Sequence, residues 1–252
     1  MIYKAEINGL PVEAYYSEDS IQNIFLPLLR KLTEIQKQKG GRVLAMLAAP
    51  PGSGKSTLLN FLQHLSETQK DITPITIIGM DGFHHYQKYL DCHTMIRDGQ
   101  EYLMKEYKGA PETFDLSLLT ERLKKVSGGE VCGWPEYYRI AHDPIDDAIT
   151  VDGDIVIIEG NYLLLNWEGW KDLSSYADYT IKIVADENLL KNRLVNRKTQ
   201  SGISKEDAER FVERSDLYNV RTCLRDSLSV NLVLELIVDD SYRKIESPGE
   251  MK

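Results

Sequence analysis

The chain has 252 residues, of which 42% are hydrophobic and 27% charged, and this length is enough for one large domain that buries its own core. The formal net charge of −9 argues against nucleic acid as the main partner, and three scattered cysteines are too few for a disulfide framework. There is no apolar run of the roughly 20 residues that span a bilayer and no signal-peptide order at the N-terminus, so we expect a cytoplasmic protein that binds no membrane.

The first 41 residues predict a hairpin followed by a helix. The predicted hairpin covers residues 1–16, and its turn is formed by Asn8 and Gly9 between two strand-like runs. Apolar residues then recur at helical spacing from 17 to 39, and Gly40 and Gly41 end the pattern. This extension precedes the rest of the domain, and we expect any homodimer interface to use it.

Downstream, short apolar runs alternate with helical patterns. The predicted strands cover residues 42–50, 74–80, 154–160, 178–185 and 232–238. The predicted helices cover 55–70, 115–129, 186–200 and 204–226. Continuous apolar strands alternating with helices indicate an α/β domain, 1–252, with a mainly parallel sheet and helices on both faces. A polar insertion at 81–150 includes an irregular stretch around Trp134 and Pro135, and 241–252 is predicted to be a polar tail.

The segment "LAAPPGSGKSTLL" lies between a predicted buried strand and a helix, and it fits a phosphate-binding loop. Its glycines let backbone N–H groups turn toward phosphates, and the following helix adds its positive N-terminal dipole. Lys55 would reach the β- and γ-phosphates of ATP, and the Ser56 hydroxyl would bind Mg²⁺. The segment departs from the pattern at Ala49, where the pattern has its first glycine. The alternative to a phosphate-binding loop is a glycine-rich turn that binds no ligand. The residues predicted to bind the nucleotide here are Pro51, Gly52, Ser53, Gly54, Lys55, Ser56 and Thr57.

Two weak motif matches do not place the chain in other P-loop classes. "NRKT" at 196–199 resembles the guanine-binding element of GTPases, but it lies inside a predicted helix. "VSGGE" at 126–130 resembles a transporter ATPase signature, but it ends a helix, where glycines commonly form the C-cap.

Two acidic residues follow predicted strands, at the edge of the sheet where open α/β folds bind ligands. Glu159 ends "DIVIIEG" and is predicted to hold the metal or its water. Asp81 opens "MDGFHHY" and is predicted to orient an acceptor hydroxyl and take its proton as general base. Phe83 and His84 would shape the acceptor pocket. The alternatives are a solvated strand-end Glu159 and an Asp81 that only initiates a turn.

The motifs "PPGSGKST", "MDGFH", "YKGAPETFD", "WPEYYR" and "IIEGNYLLL" together resemble the phosphoribulokinase, uridine kinase and type I pantothenate kinase family. The resemblance runs from about residue 42 to residue 238, and it is nearest to a branch named "putative fructose transport system kinases". It implies the P-loop nucleoside triphosphate hydrolase fold, use of ATP and Mg²⁺, a base at Asp81 and a strand-end acid at Glu159.

The resemblance also implies an acceptor loop from Tyr137 to His142. In uridine kinases and in the nearest branch an aspartate typically follows the aromatic residue of this loop, and here Tyr138 stands in its place. Arg139 and His142 are the remaining charged or polar candidates for acceptor contact. The alternative is an ordinary polar loop with an aromatic anchor.

Residues of about 186–226 correspond to the helical lid of the family. Arg193 and Arg197 are four apart and share one helix face, and the resemblance implies that they close over the phosphates, where guanidinium groups suit the developing charge. The alternative is a solvated basic face. Asp216 and Asn219 also match the branch, but no role follows for them from the sequence.

The sequence thus favours an ATP-dependent kinase that phosphorylates a hydroxyl of a sugar, nucleoside or related metabolite, with Asp81, Lys55, Glu159 and Arg193 as catalytic residues. Two other hypotheses use the same loop: a nucleotide-hydrolysing assembly or regulatory factor without a small-molecule acceptor, and a degenerate kinase that only binds nucleotide. The Asp81 motif favours the kinase, because a nucleotide switch needs no base directed at an acceptor.

Overall fold

A computed structural model of the chain describes residues 1–7, 10–97, 99–138, 140–237 and 241–245. Its strands are β1 (Ile2–Ile7), β2 (Leu10–Tyr15), β3 (Val43–Ala48), β4 (Ile75–Gly79), β5 (Thr94–Arg97), β6 (Gln100–Leu103), β7 (Cys132–Tyr138), β8 (Asp143–Val151), β9 (Ile155–Gly160), β10 (Tyr179–Ala185), β11 (Leu232–Leu236) and β12 (Tyr242–Ile245). Its α-helices are α1 (Glu18–Ser20), α2 (Leu26–Lys39), α3 (Lys55–Thr68), α4 (Gln87–Leu90), α5 (Leu116–Ser127), α6 (Glu187–Gln200), α7 (Lys205–Phe211) and α8 (Leu217–Arg225).

The central sheet has six strands in the order β12-β11-β10-β3-β9-β4. All neighbouring pairs are parallel except β11 and β12, so the predicted mainly parallel α/β sheet is confirmed. The residues of β3 are fully buried because they face two separate cores. Val43, Ala45 and Leu47 pack toward α2 and α3, whereas Leu44 and Met46 pack toward α5 and Trp134. Burial on both faces explains why this strand reads as a continuous apolar run.

Two of the predicted helices contain a π-turn. The predicted helix at 17–39 consists of α1, a π-turn at 21–25 and α2. Pro27 lies in the first turn of α2 and has no N–H to donate to the carbonyl group four residues earlier. The predicted helix at 204–226 consists of α7, a π-turn at 212–216 and α8. The second π-turn ends at Asp216, in the region predicted to be the lid.

The N-terminal hairpin of β1 and β2 is confirmed, and its turn at residues 8 and 9 lies outside the described residues. Tyr3 packs edge-on against Phe61 of α3 at 5.2 Å between ring centroids. The hairpin is thereby fixed to the helix that follows the phosphate-binding loop. Its role in a homodimer stays a prediction.

The sequence-based description of the insertion and tail was wrong in two places and missed a hairpin in a third. The stretch expected to be irregular contains β7, which pairs with β8 as a hairpin. Pro135 and a register shift between Trp134 and Glu136 disturb the alternation that reveals a strand. A second hairpin, β5–β6, lies in the polar region. Residues 242–245 pair with β11 as a sheet edge, and Tyr242 is buried. No helix in the described part of the chain is long and apolar enough to cross a membrane.

Candidate active site

The loop between β3 and α3 has the backbone geometry of a phosphate cradle. Gly52 and Gly54 have φ values of 83° and 78°, a left-handed region that favours glycine. A Cβ on Gly52 would lie 3.2 Å from the Leu190 carbonyl oxygen of α6, so the loop also needs a glycine for close packing. Gly54 is the N-cap of α3, which leaves the first N–H groups of this helix available for an anion.

Lys55, Ser56 and Glu159 meet at the carboxyl ends of β3 and β9. The parallel register pairs Leu47 with Glu159 and therefore places the acid directly beside the loop. Ser56 Oγ donates a hydrogen bond to Glu159 Oε1 over 2.6 Å, and Lys55 Nζ lies 3.8 Å from Glu159 Oε2. The side chains of Lys55 and Glu159 are only 14% and 13% exposed, so little water screens their charges.

These residues fit a triphosphate and its metal ion. Ser53 is 1% exposed, and its Oγ atom has no hydrogen-bond partner among the residues that the structure describes. A phosphate oxygen at the start of α3 would provide one. The Ser56 hydroxyl and the Glu159 carboxylate are the hard oxygen ligands that Mg²⁺ prefers, and Mg²⁺ usually takes one or two carboxylates with phosphates and water. No cluster of three His, Cys, Asp or Glu side chains suited to a metal occurs within the described ranges.

Asp81 follows β4 and begins a 3₁₀ turn at 81–83 that is held from two sides. Met80 N–H donates to the Glu159 carbonyl over 2.8 Å, which ties the turn to β9. On the other side the Trp134 Nε1–H of β7 donates to the Gly79 carbonyl over 2.8 Å. A Cβ on Gly82 would lie 2.0 Å from the Pro135 carbonyl oxygen, so only glycine permits this contact. The position of Asp81 therefore depends on the β7–β8 hairpin.

Two cavities meet at Asp81. The larger, of about 530 Å³, is lined by the phosphate-binding loop and by side chains of the insertion and of the predicted lid. The smaller, of about 300 Å³, is lined by Glu159 and by Glu136 and Tyr137 of β7. Ser56, Asp81 and Ile7 line both. Asp81 thus stands where a group bound near the loop and a group bound near β7 would face each other.

Two of the predicted acceptor residues lie at these cavities. His84 lines the larger cavity, with its ring 3.9 Å from the Phe114 ring and 5.1 Å from the Tyr137 ring, centroid to centroid. Its Nδ1 atom is 2.8 Å from the Asp81 carbonyl oxygen, so the tautomer with the proton on Nδ1 donates there. Burial lowers the pKa of His84 despite the charge of Asp81, and it favours the neutral ring. Tyr137 lines the smaller cavity.

The other predicted acceptor residues are placed differently. Tyr138 is 45% exposed and lines neither cavity, and His142 is exposed with a φ of 57°. The His142 backbone carbonyl, rather than its ring, is engaged, since it accepts a hydrogen bond from Lys108 Nζ over 2.6 Å. Phe83, expected to shape the pocket, is 1% exposed and packs edge-on against Trp134 in the core. Arg139 lies outside the described residues.

Helix α6 lies across the phosphate-binding loop. Leu190 and Leu194 are fully buried on its inner side and pack with α7 and α8. Arg193 and Arg197 both line the larger cavity, and Arg193 Nη1 lies 3.9 Å from the position of a Cβ on Gly54. The guanidinium groups therefore lie on the loop side of α6, the helix predicted to be part of the lid.

The larger cavity also contains residues that sequence reasoning did not assign to the site. The polar or glycine residues among them are Lys108, Gly109, Asn161, Asp216 and Asn219, and the apolar ones are Ile7, Val12 and Phe114. Signals for them existed: Lys108 and Gly109 lie in "YKGAPETFD", and Asn161 comes two residues after Glu159. Asp216 and Asn219 are three residues apart, a spacing that puts both on one helix face.

Comparison with known proteins identifies the family. A profile of the "Phosphoribulokinase / Uridine kinase family" matches residues 44–219. The "Uncharacterized protein YggC" of Escherichia coli K12 is 40% identical over 237 residues, which is 94% of this chain and 96% of that one. The "Putative uridine kinase C227.14" of Schizosaccharomyces pombe is 31% identical and covers 82% of this chain, with 88% of that protein matched.

Among solved structures, a "putative fructose transport system kinase" from Silicibacter sp. TM1040 is similar with a TM-score of 0.70 and 31% identity. The match covers 81% of this chain and 98% of that one. The extent of the profile match and of these relatives, together with the P-loop fold, shows that this chain belongs to the phosphoribulokinase / uridine kinase family of P-loop kinases.

Proposed function

We propose that the protein is an ATP-dependent small-molecule kinase that transfers the γ-phosphoryl group to a hydroxyl of a sugar, nucleoside or related metabolite. The observation that carries this proposal is the position of Asp81, which lines both cavities together with Ser56. A carboxylate at this point is available to an acceptor hydroxyl without being needed by the phosphate-binding loop.

The loop and its neighbours would hold the nucleotide. Backbone N–H groups of residues 52–57 and the Lys55 ammonium would bind the phosphates, and Arg193 and Arg197 would approach them from the lid. Ser56 and Glu159 would hold Mg²⁺, which would supply positive charge to offset the negative charge of the phosphates. The 2.6 Å bond between Ser56 and Glu159 already brings these two ligands together.

Asp81 would act on the acceptor. Its carboxylate would accept a hydrogen bond from the reacting hydroxyl and orient the oxygen in line with the phosphoryl group, then take up the proton as the new ester bond forms. The turn that carries Asp81 is fixed by β9 and β7, so this orientation needs no rearrangement of the backbone.

Water must be excluded for this reaction, because it competes with the acceptor for the phosphoryl group. Helix α6 already covers the loop through Leu190 and Leu194. Ile7 and Val12 of the N-terminal hairpin add an apolar wall to the larger cavity. These contacts support a site that admits a small molecule while limiting bulk water.

The experiment that tests the proposal measures ADP release from ATP and Mg²⁺ with a panel of acceptors: hexoses, pentoses, pentose phosphates, ribonucleosides, pantothenate, and no acceptor. We expect one class to stimulate ADP release and to gain a phosphoryl group. Slow release that no acceptor stimulates, and that a protein partner does stimulate, would instead favour a nucleotide-driven regulatory factor.

A further inference from the structure

Three oxygen atoms on the wall of the larger cavity are buried and lack hydrogen bonds. Asn161 Oδ1 and Asn219 Oδ1 have no hydrogen-bond partner among the residues of the described ranges, and Asp216 Oδ2 has only an ion-pair contact, with Lys198 Nζ at 3.4 Å. All three residues line the same cavity. Leaving a buried polar atom without a hydrogen bond costs free energy, so several in one cavity point to a ligand that supplies donors.

Local structure directs two of these side chains to the cavity. Asp216 ends the π-turn at 212–216 and Asn219 lies in the first turn of α8, so the two share one helix face. π-turns inside helices occur frequently at functional sites. Asn219 is only 5% exposed, and the neighbouring Leu217 and Val220 are buried in the apolar cluster formed by α6, α7 and α8. This packing restricts where the Asn219 amide can point.

The third residue is tied to the same helix. Asn161 follows β9, and its carbonyl accepts a hydrogen bond from Cys223 Sγ of α8 over 3.3 Å. Burial raises the pKa of Cys223 to about 12, so this thiol keeps its proton and stays a donor. This contact places Asn161, at the end of β9, beside α8, the helix that carries Asn219.

Gly109 leaves space in front of Asn219. It has a φ of 100°, and a Cβ there would lie 3.9 Å from Asn219 Nδ2. The Tyr162 hydroxyl, which is fully buried, donates to the Gly109 carbonyl over 2.6 Å and fixes the loop. A glycine is required by this backbone conformation, and its missing side chain keeps the cavity open at this point.

The three oxygens can only accept hydrogen bonds, so they select a ligand with O–H or N–H donors. Lys55, Arg193 and Arg197 line the same cavity and are assigned to the ATP phosphates, so they are not available to a charged group on the acceptor. A phosphate or carboxylate of the acceptor beside Asp216 would be repelled by its carboxylate, whose side chain is 16% exposed and forms an ion pair with Lys198 at 3.4 Å. Lys108, the cation beside Gly109, already donates to Gln87 Oε1 and to the His142 carbonyl. An uncharged polyol supplies the required donors and no negative charge.

We propose that Asn161, Asp216 and Asn219 bind the non-reacting hydroxyl groups of the acceptor, which is therefore an unphosphorylated sugar or the sugar part of a nucleoside. This inference rests on the proposed kinase function and narrows it to acceptors with several free hydroxyls. It assigns Asp216 and Asn219 to acceptor binding, and it leaves proton transfer with Asp81.

The test compares wild-type protein with Asn219→Leu and Asp216→Asn, using Asn188→Leu, an exposed change on α6, as matched control. Acceptors are hexoses, pentoses and ribonucleosides, each with its deoxy analogues and its phosphorylated form. We expect kcat/KM for the preferred polyol to fall about 10- to 100-fold in the two variants, mainly through KM. The affinity for a fluorescent ATP analogue should stay unchanged in all variants.

The wild-type protein provides a second test that does not depend on the folding of any variant. With wild-type protein, kcat/KM for at least one deoxy analogue should be about 10-fold or more below that for the parent sugar. For this analogue, kcat/KM of Asn219→Leu or Asp216→Asn should equal that of the wild type, because the hydroxyl that the mutated residue binds is already missing. Equal use of a sugar and its phosphorylated form, or unchanged KM values in both variants, would overturn the inference while leaving the kinase function intact. If no compound accepts a phosphoryl group, the proposed function fails and this inference fails with it.

Discussion

Ser56 Oγ donates a hydrogen bond to Glu159 Oε1 over 2.6 Å, and Lys55 Nζ lies 3.8 Å from the other oxygen of the same carboxylate. Lys55 and Ser56 begin α3, after the loop that follows β3, and Glu159 lies in β9, the parallel neighbour of β3. The register of the two strands pairs Leu47 with Glu159 and sets this acid beside the loop. The proposed function assigns this acid to Mg²⁺ and the neighbouring lysine to the phosphates, which makes the contact the first target for mutation.

The first prediction concerns Glu159→Gln. We expect the concentration of free Mg²⁺ needed for half-maximal activity to rise about 10- to 100-fold, because a carboxylate that binds or orients the metal is replaced by a neutral amide. The measurement is kcat as a function of free Mg²⁺ at saturating ATP. Glu168→Gln, at an exposed position, is the control. An unchanged Mg²⁺ dependence in Glu159→Gln would remove Glu159 from the metal site.

The second prediction concerns Asp81→Asn, which keeps the shape of the side chain and removes its basicity. We expect kcat to fall ~10²- to 10⁴-fold, the usual contribution of a general base, with ATP-analogue affinity nearly unchanged. Turnover and nucleotide binding would be measured in parallel, with the exposed Asp172→Asn as control. Wild-type turnover in Asp81→Asn would show that the carboxylate only forms the turn.

The third prediction concerns Arg193→Lys, which keeps the charge but loses the planar guanidinium group. We expect kcat to fall by ~10²- to 10³-fold, because the interaction with developing charge depends on donor geometry. Arg210→Lys on α7 is the control, since this side chain is 70% exposed. If Arg193→Lys and Arg210→Lys have the same small effect, Arg193 belongs to a solvated basic face.

The sequence was sufficient to predict the sheet and the phosphate-binding loop because each is encoded locally. β3 and β9 are buried on both faces and read as continuous apolar runs, and the loop motif depends on neighbouring residues. The strand ends then carry Asp81 and Glu159 to one edge of the sheet. Parallel strands bring such acids together without further information from the sequence.

The far wall of the larger cavity, which we propose to bind the acceptor, was harder to predict because distant segments form it. Gly109, Asn161 and Asn219 come from three separate parts of the chain, and only tertiary packing brings them to one cavity. Tyr137 and Tyr138 were both expected to contact the acceptor, but neighbours in a strand point to opposite faces. Since both lie in β7, Tyr137 lines a cavity and Tyr138 is exposed to solvent.

The fourth prediction concerns the stability of the Asp81 turn. In Gly82→Ala the new Cβ would lie 2.0 Å from the Pro135 carbonyl oxygen, so the backbone of β7 must shift. We expect a loss of about 1–3 kcal/mol or more in the free energy of unfolding, measured by urea denaturation. Gly41→Ala is the control, because nothing lies within 4 Å of its Cβ position. Equal stability of the two variants would contradict the close contact.

The fifth prediction concerns the pH dependence of stability in Asp216→Asn. Burial raises the pKa of Asp216, and the charges of Lys198 and Arg197 only partly oppose this. The Asp216 carboxyl therefore loses its proton at a lower pH in the unfolded chain than in the folded protein. Above the folded-state pKa the buried carboxylate is charged, and the free energy of unfolding is lower than it is in acid. We expect Asp216→Asn to melt at a higher temperature than wild type at about pH 8 and to lose this advantage as the pH falls toward ~4.

This result would identify Asp216 as a residue kept at a cost in stability, which is typical of a binding site. A variant that melts at a lower temperature than wild type at neutral pH would show that the ion pair with Lys198 outweighs the cost of burial. In that case the side chain would be mainly structural. Melting curves recorded across the pH range with both proteins distinguish these outcomes.

The most direct test of the kinase function follows the γ-phosphoryl group itself. Protein, Mg²⁺ and ATP labelled in the γ-phosphate are incubated with the sugar and nucleoside panel, and the label is separated into organic phosphate esters and inorganic phosphate. We predict that the label appears in an ester of one acceptor class and that Asp81→Asn slows this transfer ~10²- to 10⁴-fold. Label found only as inorganic phosphate, at a rate that neither the acceptors nor Asp81→Asn change, would contradict the proposed function.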